Sequence, residues 1–381
     1  MRKLFINGKI LAPEPLPDNY AILVKDDRIL EVAELDTFPD DIEVIDAGDC
    51  WITPGLIDIH VHGGGGNDTM DNEGQILAEM ARYFASTGVT SFLPTTVAAS
   101  NPDVTAAIDR IKSFTQPEDG ARVLGIHLEG PYLGHRHKGA QPEQHLRSAS
   151  PDEYMPWLDS GLVKVFTVAP EVDGVLDLIS EGSKRGVRFA VGHSSADYET
   201  MIHAIDRGLS QATHTFNGMP QLHHREPGVL GAVLTDQRVF AQIIADGVHL
   251  HPAIVKLIMD AKGVDRSVLI TDATRAAGAS DGNYQLGDQT IIVKEGIART
   301  ATGSLAGSTL SMSEAVRNAV KFTGRPFDEV IRSATDVAAN SLGLEDQIGS
   351  IKPGMKADII FFDQEFTPRF CMISGNIVFQ K

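Results

Sequence analysis

The chain has 381 residues, with 33 Lys plus Arg against 51 Asp plus Glu, for a formal net charge of −18 with histidines neutral. An acidic surface of that size repels polyanions within a Debye length, which argues against nucleic acid or an anionic membrane as partner. A hydrophobic content of 42% is ample for a core and excludes disorder as the main description.

Cys50 and Cys371 are the two cysteines and provide neither a disulfide framework nor a CxxC pair, so a reducing compartment is expected. The opening MRKLFINGKI is broken by Asn7, Gly8 and Lys9 and is too short in apolar length for a signal peptide. No run approaches the ~18 apolar residues of a membrane span. The expectation is a cytoplasmic chain.

In chain order, residues 1–50 read as short strands at Leu4–Ile6, Ala21–Val24, Ile29–Val32 and Glu43–Ile45, separated by turn signals such as Asn7-Gly8 and Asp26-Asp27. The middle then alternates strand-length apolar runs with amphipathic helical segments, the pattern of a parallel sheet with crossover helices. Its candidate strands are Ile52–His60, Ser91–Thr95, Arg122–Leu128, Val163–Val168, Arg188–Gly192, Gln211–Thr215, Phe240–Ala245 and Ser267–Ile270. Glu73–Ser86 carries Ile76, Leu77, Met80 and Phe84 at helical spacing, and later helices end at Gly186, Gly208 and Gly263 as C-caps. Residues 273–310 form a long excursion, which is uncommon unless it has a task or hidden secondary structure. Ser311–Thr323 reads as the helix that follows, and two strands around Ser374-Gly375-Asn376 close the chain as a hairpin.

Eight strands without a GxGxxG opening fit an α/β fold of the (β/α)8 TIM-like barrel type, spanning 51–344. The two strand-rich ends, 1–50 and 345–381, are expected to build one small discontinuous β-sandwich domain.

Active sites of such barrels lie at the carboxyl ends of the strands. There the sequence places His60 and His62, which share a face because strand side chains alternate, then Glu129, His193, His214 and Asp272. Asp246 and His249 follow strand seven. Taken singly, each residue is more often a structural hydrogen-bonding group. Six such groups converging on one rim are costly unless a divalent cation satisfies them. His127 shares a face with Glu129 and suits a role behind the ligands, whereas His203 lies on a helix and His251 at a helix start. His135, His137, His145, His223 and His224 lie in loops, where substrate contact is the functional alternative. A cation held with one position open brings bound water to a pKa of about 7, and Asp272 is its natural proton partner. That combination points to hydrolysis at carbon, either amide cleavage or deamination.

The segments PGLIDIHVHG at 54–63 and IKPGMKADIIFFD at 351–363 resemble the amidohydrolase superfamily. Within it, LEGPYLG at 128–134, GHSSA at 192–196, THTFNGM at 213–219, REPG at 225–228, DGVH at 246–249, TDA at 271–273 and GSLAGSTL at 303–310 are similar to the N-acetylglucosamine-6-phosphate deacetylase family. The resemblance implies a divalent metal, one or two per subunit, with zinc first and iron, cobalt or manganese as alternatives. Glu129, His193 and His214 would hold the principal ion, and His60 and His62, helped by Glu129 and Asp272, a second. Asp272 would be the general acid/base.

For substrate binding, the resemblance implies Ala140, Gln141, Asn217, Gly218, His249, Leu305 and Ala306. It adds Arg225, reaching the phosphate from the neighbouring subunit of a homodimer or dimer-based tetramer. Gln141 stands where some relatives carry a histidine that polarises the acetyl carbonyl. A glutamine donates a hydrogen bond but carries no charge. Asn217-Gly218 as a plain turn, Arg225 as a surface residue and Leu305-Ala306-Gly307 as a packing segment remain the alternatives.

The implied reaction removes acetate from N-acetyl-D-glucosamine 6-phosphate in amino-sugar catabolism and cell-wall recycling. The galactosamine epimer is the nearest alternative. A non-catalytic scaffold is the alternative from another class, and it sits poorly with a chain in which every ligand position is filled.

Overall fold

The computed structural model describes residues 2–380 apart from 13, 38–41, 73 and 74. The expected eight central strands form with small shifts: β1 (Leu56–Val61), β2 (Val89–Pro94), β3 (Ile126–Glu129), β4 (Val163–Val168), β5 (Arg188–Val191), β6 (Leu209–Ala212), β7 (Phe240–Ile244) and β8 (Ser267–Ile270). Two predicted strands are divided in the structure. Ile52–His60 breaks at Gly55, so that Trp51–Pro54 pairs with the C-terminal strand Ile359–Phe362 while β1 pairs with β2. Arg122–Leu128 breaks before β3, leaving Arg122–Val123 on the far edge of β2.

β3 through β8 form one continuous parallel array, and β1 and β2 belong to a shorter one. Parallel bridges join the two arrays at Thr95 with His127 and at Val61 with Ala273. At the second seam Asp272 N–H donates to His60 O at 3.0 Å, and His62 N–H donates to Ala273 O at 2.8 Å. The parallel sheet therefore curls until its first and last strands meet, and both seams lie at the carboxyl ends that carry the polar residues.

Helices cover the outside of this sheet, and their ends obey local chemistry. Ser311 and Glu314 form a capping box on Met312–Thr323, which stops at Gly324 in a left-handed conformation. His251 caps Pro252–Lys262, as its position predicts. The predicted Glu73–Ser86 helix is Ile76–Ser86; residues 73 and 74 lie outside the described residues. The apolar faces of these helices and the outward faces of the strands share one large core.

The chain ends supply a four-stranded and a five-stranded sheet. Phe5, Ile22 and Ile45 from the first share a buried cluster with Ile52, Phe361 and Phe370 from the second. Arg122 links this region to the curled sheet, pairing with both oxygens of Asp358 at 2.9 and 3.0 Å.

The long excursion hides a three-stranded antiparallel sheet, Gly282–Leu286, Gln289–Lys294 and Ile297–Thr300. Its inner side chains Leu286, Ile291, Val293 and Ala298 pack with Val97 and Ala276, placing this strap beside the carboxyl ends of the curled sheet.

Candidate metal centre and substrate pocket

Strand alternation brings Asp58, His60 and His62 to the inner face of β1, and Glu129 reaches the same space from the end of β3. His193, His214 and Asp272 follow β5, β6 and β8 with backbone φ values of 49°, 31° and 52°. Such left-handed conformations are uncommon for residues other than glycine. Each turns the chain at the strand end and sends its side chain inward.

Two clusters result, and Glu129 belongs to both. Its Oε1 lies 3.2 Å from His193 Nε2 and 3.0 Å from His214 Nε2, which are themselves 3.2 Å apart. Its Oε2 lies 3.2 Å from His62 Nε2 and 3.8 Å from His60 Nε2. Asp272 Oδ1 completes that second cluster at 3.3 Å from His60 and 3.1 Å from His62. Ligands about 2.1 Å from one tetrahedral cation stand roughly 3.4 Å from each other, so both sets fit a divalent ion. Asp272 Oδ1 is buried without a hydrogen-bond partner, as an atom reserved for a cation would be.

Two of the ring atoms turned away from the clusters are held as well, whereas His214 Nδ1 is buried without a partner. His62 Nδ1 lies 3.2 Å from Thr95 O, and His193 Nδ1 lies 3.0 Å from His137 O. Both acceptors are carbonyls, so both rings carry hydrogen on Nδ1 and present Nε2 to the cluster. His127 stands behind His60 with ring centroids 4.6 Å apart, and burial holds its pKa well below the usual range.

Electrostatics state the same preference for positive charge. Burial opposes ionisation of Asp272, yet the imidazoles of His60 and His62 bring its pKa down to about 2. Burial also opposes a charged His62, but the carboxylates of Asp272 and Glu129 beside its ring raise its pKa well above the usual value.

A pocket of about 210 Å³ opens over the centre. Of the residues singled out in the sequence, Glu129, His62, His193, His214, Asp272, Ala140, Gln141, Asn217, Gly218, His249 and Leu305 line it. His60 lies fully buried beneath. Gly218, at φ +61°, lies so close to His193 that a Cβ would stand 2.8 Å from the ring Nδ1. Gln141 is anchored: Ala98 N–H donates to its Oε1 at 2.8 Å, and its Nε2 donates to Glu129 Oε2 at 2.7 Å. His249 Nδ1 pairs with Asp246 at 2.6 Å. Burial works against a charged His249, but Asp246 overcomes it and raises the pKa.

Two predicted residues fall outside the pocket. Ala306 is fully buried and packs in the core of the strap. Arg225 is exposed in a separate surface cleft with Arg136, Tyr198 and His223. Val97, Leu286 and Ser304 line the pocket without having been singled out. The β-branched run Ile291-Ile292-Val293 between turn glycines at 287 and 296 was the available signal for the strap that carries Leu286.

The amidohydrolase family matches residues 51–378. The chain belongs to that family. Among relatives of known activity, an N-acetylglucosamine-6-phosphate deacetylase from Vibrio furnissii is 40% identical over 88% of this chain and 85% of its own length. An N-acetylgalactosamine-6-phosphate deacetylase from Escherichia coli O157:H7 is 39% identical over 97% of both chains. Among solved structures, a mutant N-acetyl-D-glucosamine-6-phosphate deacetylase from Mycobacterium smegmatis in complex with N-acetyl-D-glucosamine-6-phosphate superposes with a TM-score of 0.91, at 32% identity over 99% of each chain. This amidohydrolase thus keeps the imidazole and carboxylate chemistry of a hydrolytic metal centre. Among the described residues no helix is long and apolar enough to cross a membrane.

Proposed function

We propose that the protein hydrolyses the acetamide of N-acetyl-D-glucosamine 6-phosphate to D-glucosamine 6-phosphate and acetate. The observation that carries this reading is Asp272, an ionised carboxylate on the wall of a pocket whose floor is a ready cation site. Glu129, His193 and His214 would hold one divalent ion, and His60, His62, Glu129 and Asp272 a second, with zinc the first choice. When bound, the cation polarises the acyl oxygen and makes water acidic enough to attack at neutral pH.

The chain's own residues do the rest. Asp272 accepts the proton of the attacking water and returns it to the sugar nitrogen as the C–N bond breaks. The water oxygen remains in acetate, and the amine leaves neutral. Gly218 offers its backbone N–H to the anionic end of the substrate, while the N–H of Asn217 is given to His214 O at 2.9 Å and braces that turn; His249, oriented by Asp246, adds a donor. Arg225 faces away from its own pocket and serves the phosphate of a neighbouring subunit in a homodimer. Leu305 covers the sugar.

The curled sheet is taken as a closed (β/α)8 barrel over 51–344, supported by the paired seams. The terminal sheets are taken as one sandwich from 1–50 and 345–381, supported by their common core, and the chain as cytoplasmic. Deacetylation of N-acetylgalactosamine 6-phosphate is a second reading, favoured by the relative that matches 97% of the chain.

The test is acetate release by purified, metal-loaded protein and by its Asp272→Asn variant. The wild type releases acetate from the glucosamine substrate, and the variant keeps at least one metal equivalent while kcat falls about 10²–10⁴-fold. Near-full turnover by the variant would sink the role given to Asp272.

A further inference from the structure

A row of buried amides beneath His60 takes no part in the chemistry above. Ser341 lies in the last turn of the helix Asp336–Leu342, where carbonyls have no partner within the helix. Its carbonyl stands 2.9 Å from the Gln211 side chain, which rises from β6. A carbonyl only accepts, so Gln211 meets it with the NH₂ end and turns Oε1 toward Gln242 on β7. Gln242 in turn meets that oxygen with its own NH₂, at 2.9 Å. Its Oε1 is left facing His60 Nδ1 at 3.4 Å. The side chains of His60, Gln242 and Gln211 are fully buried, so solvent offers no other partner.

We propose that Gln242 and Gln211 are positioning residues that fix the tautomer of His60. Hydrogen is held on Nδ1, and the Nε2 lone pair is presented to the cluster with His62 and Asp272. His62 and His193 reach a carbonyl directly. His60 reaches its carbonyl through two amides, and Ser341 O sets the direction of every bond between. The proposal rests on the two-cation reading above, and it assigns to Gln242 an effect on one cation and not the other.

Chelator-treated full-length protein titrated with zinc against a chromophoric chelator tests it. The wild type takes up two equivalents. Gln242→Met, near in size but unable to accept, binds one equivalent as the wild type does and the other about 10–100-fold more weakly. Gln242→Glu, which still accepts from Nδ1–H, restores the second equivalent to within a few-fold. Two unchanged equivalents in Gln242→Met overturn the relay, as does equal weakening of both. Equal loss in the Met and Glu variants also overturns it, because lost packing then explains the effect. A wild type that takes up one equivalent overturns the two-cation reading itself. If Gln242→Met does not fold, Gln211→Met carries the same selective loss in smaller measure, and its absence there counts against the relay.

Discussion

The two halves of the centre share Glu129 and are built on opposite principles. His60 lies on a regular strand with His62 one residue beyond its end, and they meet two carboxylates, Glu129 and Asp272, that complete four ligand positions. His193 and His214 sit on left-handed backbone past the ends of their strands and supply, with Glu129, only three. A three-ligand site with an open position is the catalytic arrangement, and a filled four-ligand site is the structural one. The left-handed residues His193, His214 and Asp272 all line the pocket, and Asp272 carries this arrangement into the other half, while His60 lies on the strand beneath.

The largest effect tests what the halves share. Glu129→Gln removes the only carboxylate common to both clusters, so metal content falls by both equivalents and turnover is lost with it. Retention of one full equivalent would show that the halves are independent. Gly218→Ala addresses the three-ligand half alone, because its Cβ meets the His193 ring at 2.8 Å. A displacement of that kind costs roughly 10² in kcat/KM, with the second equivalent untouched. Arg225→Ala tests the substrate side without touching either half. KM for the phosphorylated sugar rises about 10–100-fold, the loss of a charge-assisted hydrogen bond, while unphosphorylated sugar is little affected. Equal loss on both substrates contradicts a phosphate role.

The smallest effect is a shift along the pH axis. The pKa of His249 is raised, so the stabilisation from its pair with Asp246 is fully present below its unfolded pKa of about 6.5. It is lost as pH rises through the folded value. Asp246→Asn removes the charge that opposes burial, and His249 becomes neutral at lower pH. Substrate KM then begins its alkaline rise earlier than in the wild type, and superimposable profiles would remove His249 from anion binding.

The clustering of the candidate ligands was legible because parallel strands deliver their polar residues to one end, and His60-Val61-His62 announces its shared face by spacing alone. The break at Gly55 was not, since apolar character continues across it and only tertiary pairing hands Trp51–Pro54 to the terminal sheet. Gln141 read as a substrate contact and lines the pocket, but its anchoring by Ala98 and Glu129 is revealed by no local pattern. The strap was written in the β-branched run Ile291-Ile292-Val293, but a stretch rich in small residues concealed it. Gln211, Gln242 and Ser341 are distant in sequence and meet only when the sheet curls.

The most direct measurement is a paired steady-state assay of acetate release by metal-loaded protein on N-acetyl-D-glucosamine 6-phosphate and its galactosamine epimer. The account predicts release from both, with the higher kcat/KM on the glucosamine substrate. No release from either would contradict the assigned chemistry, and a higher kcat/KM on the galactosamine substrate would contradict the assigned sugar.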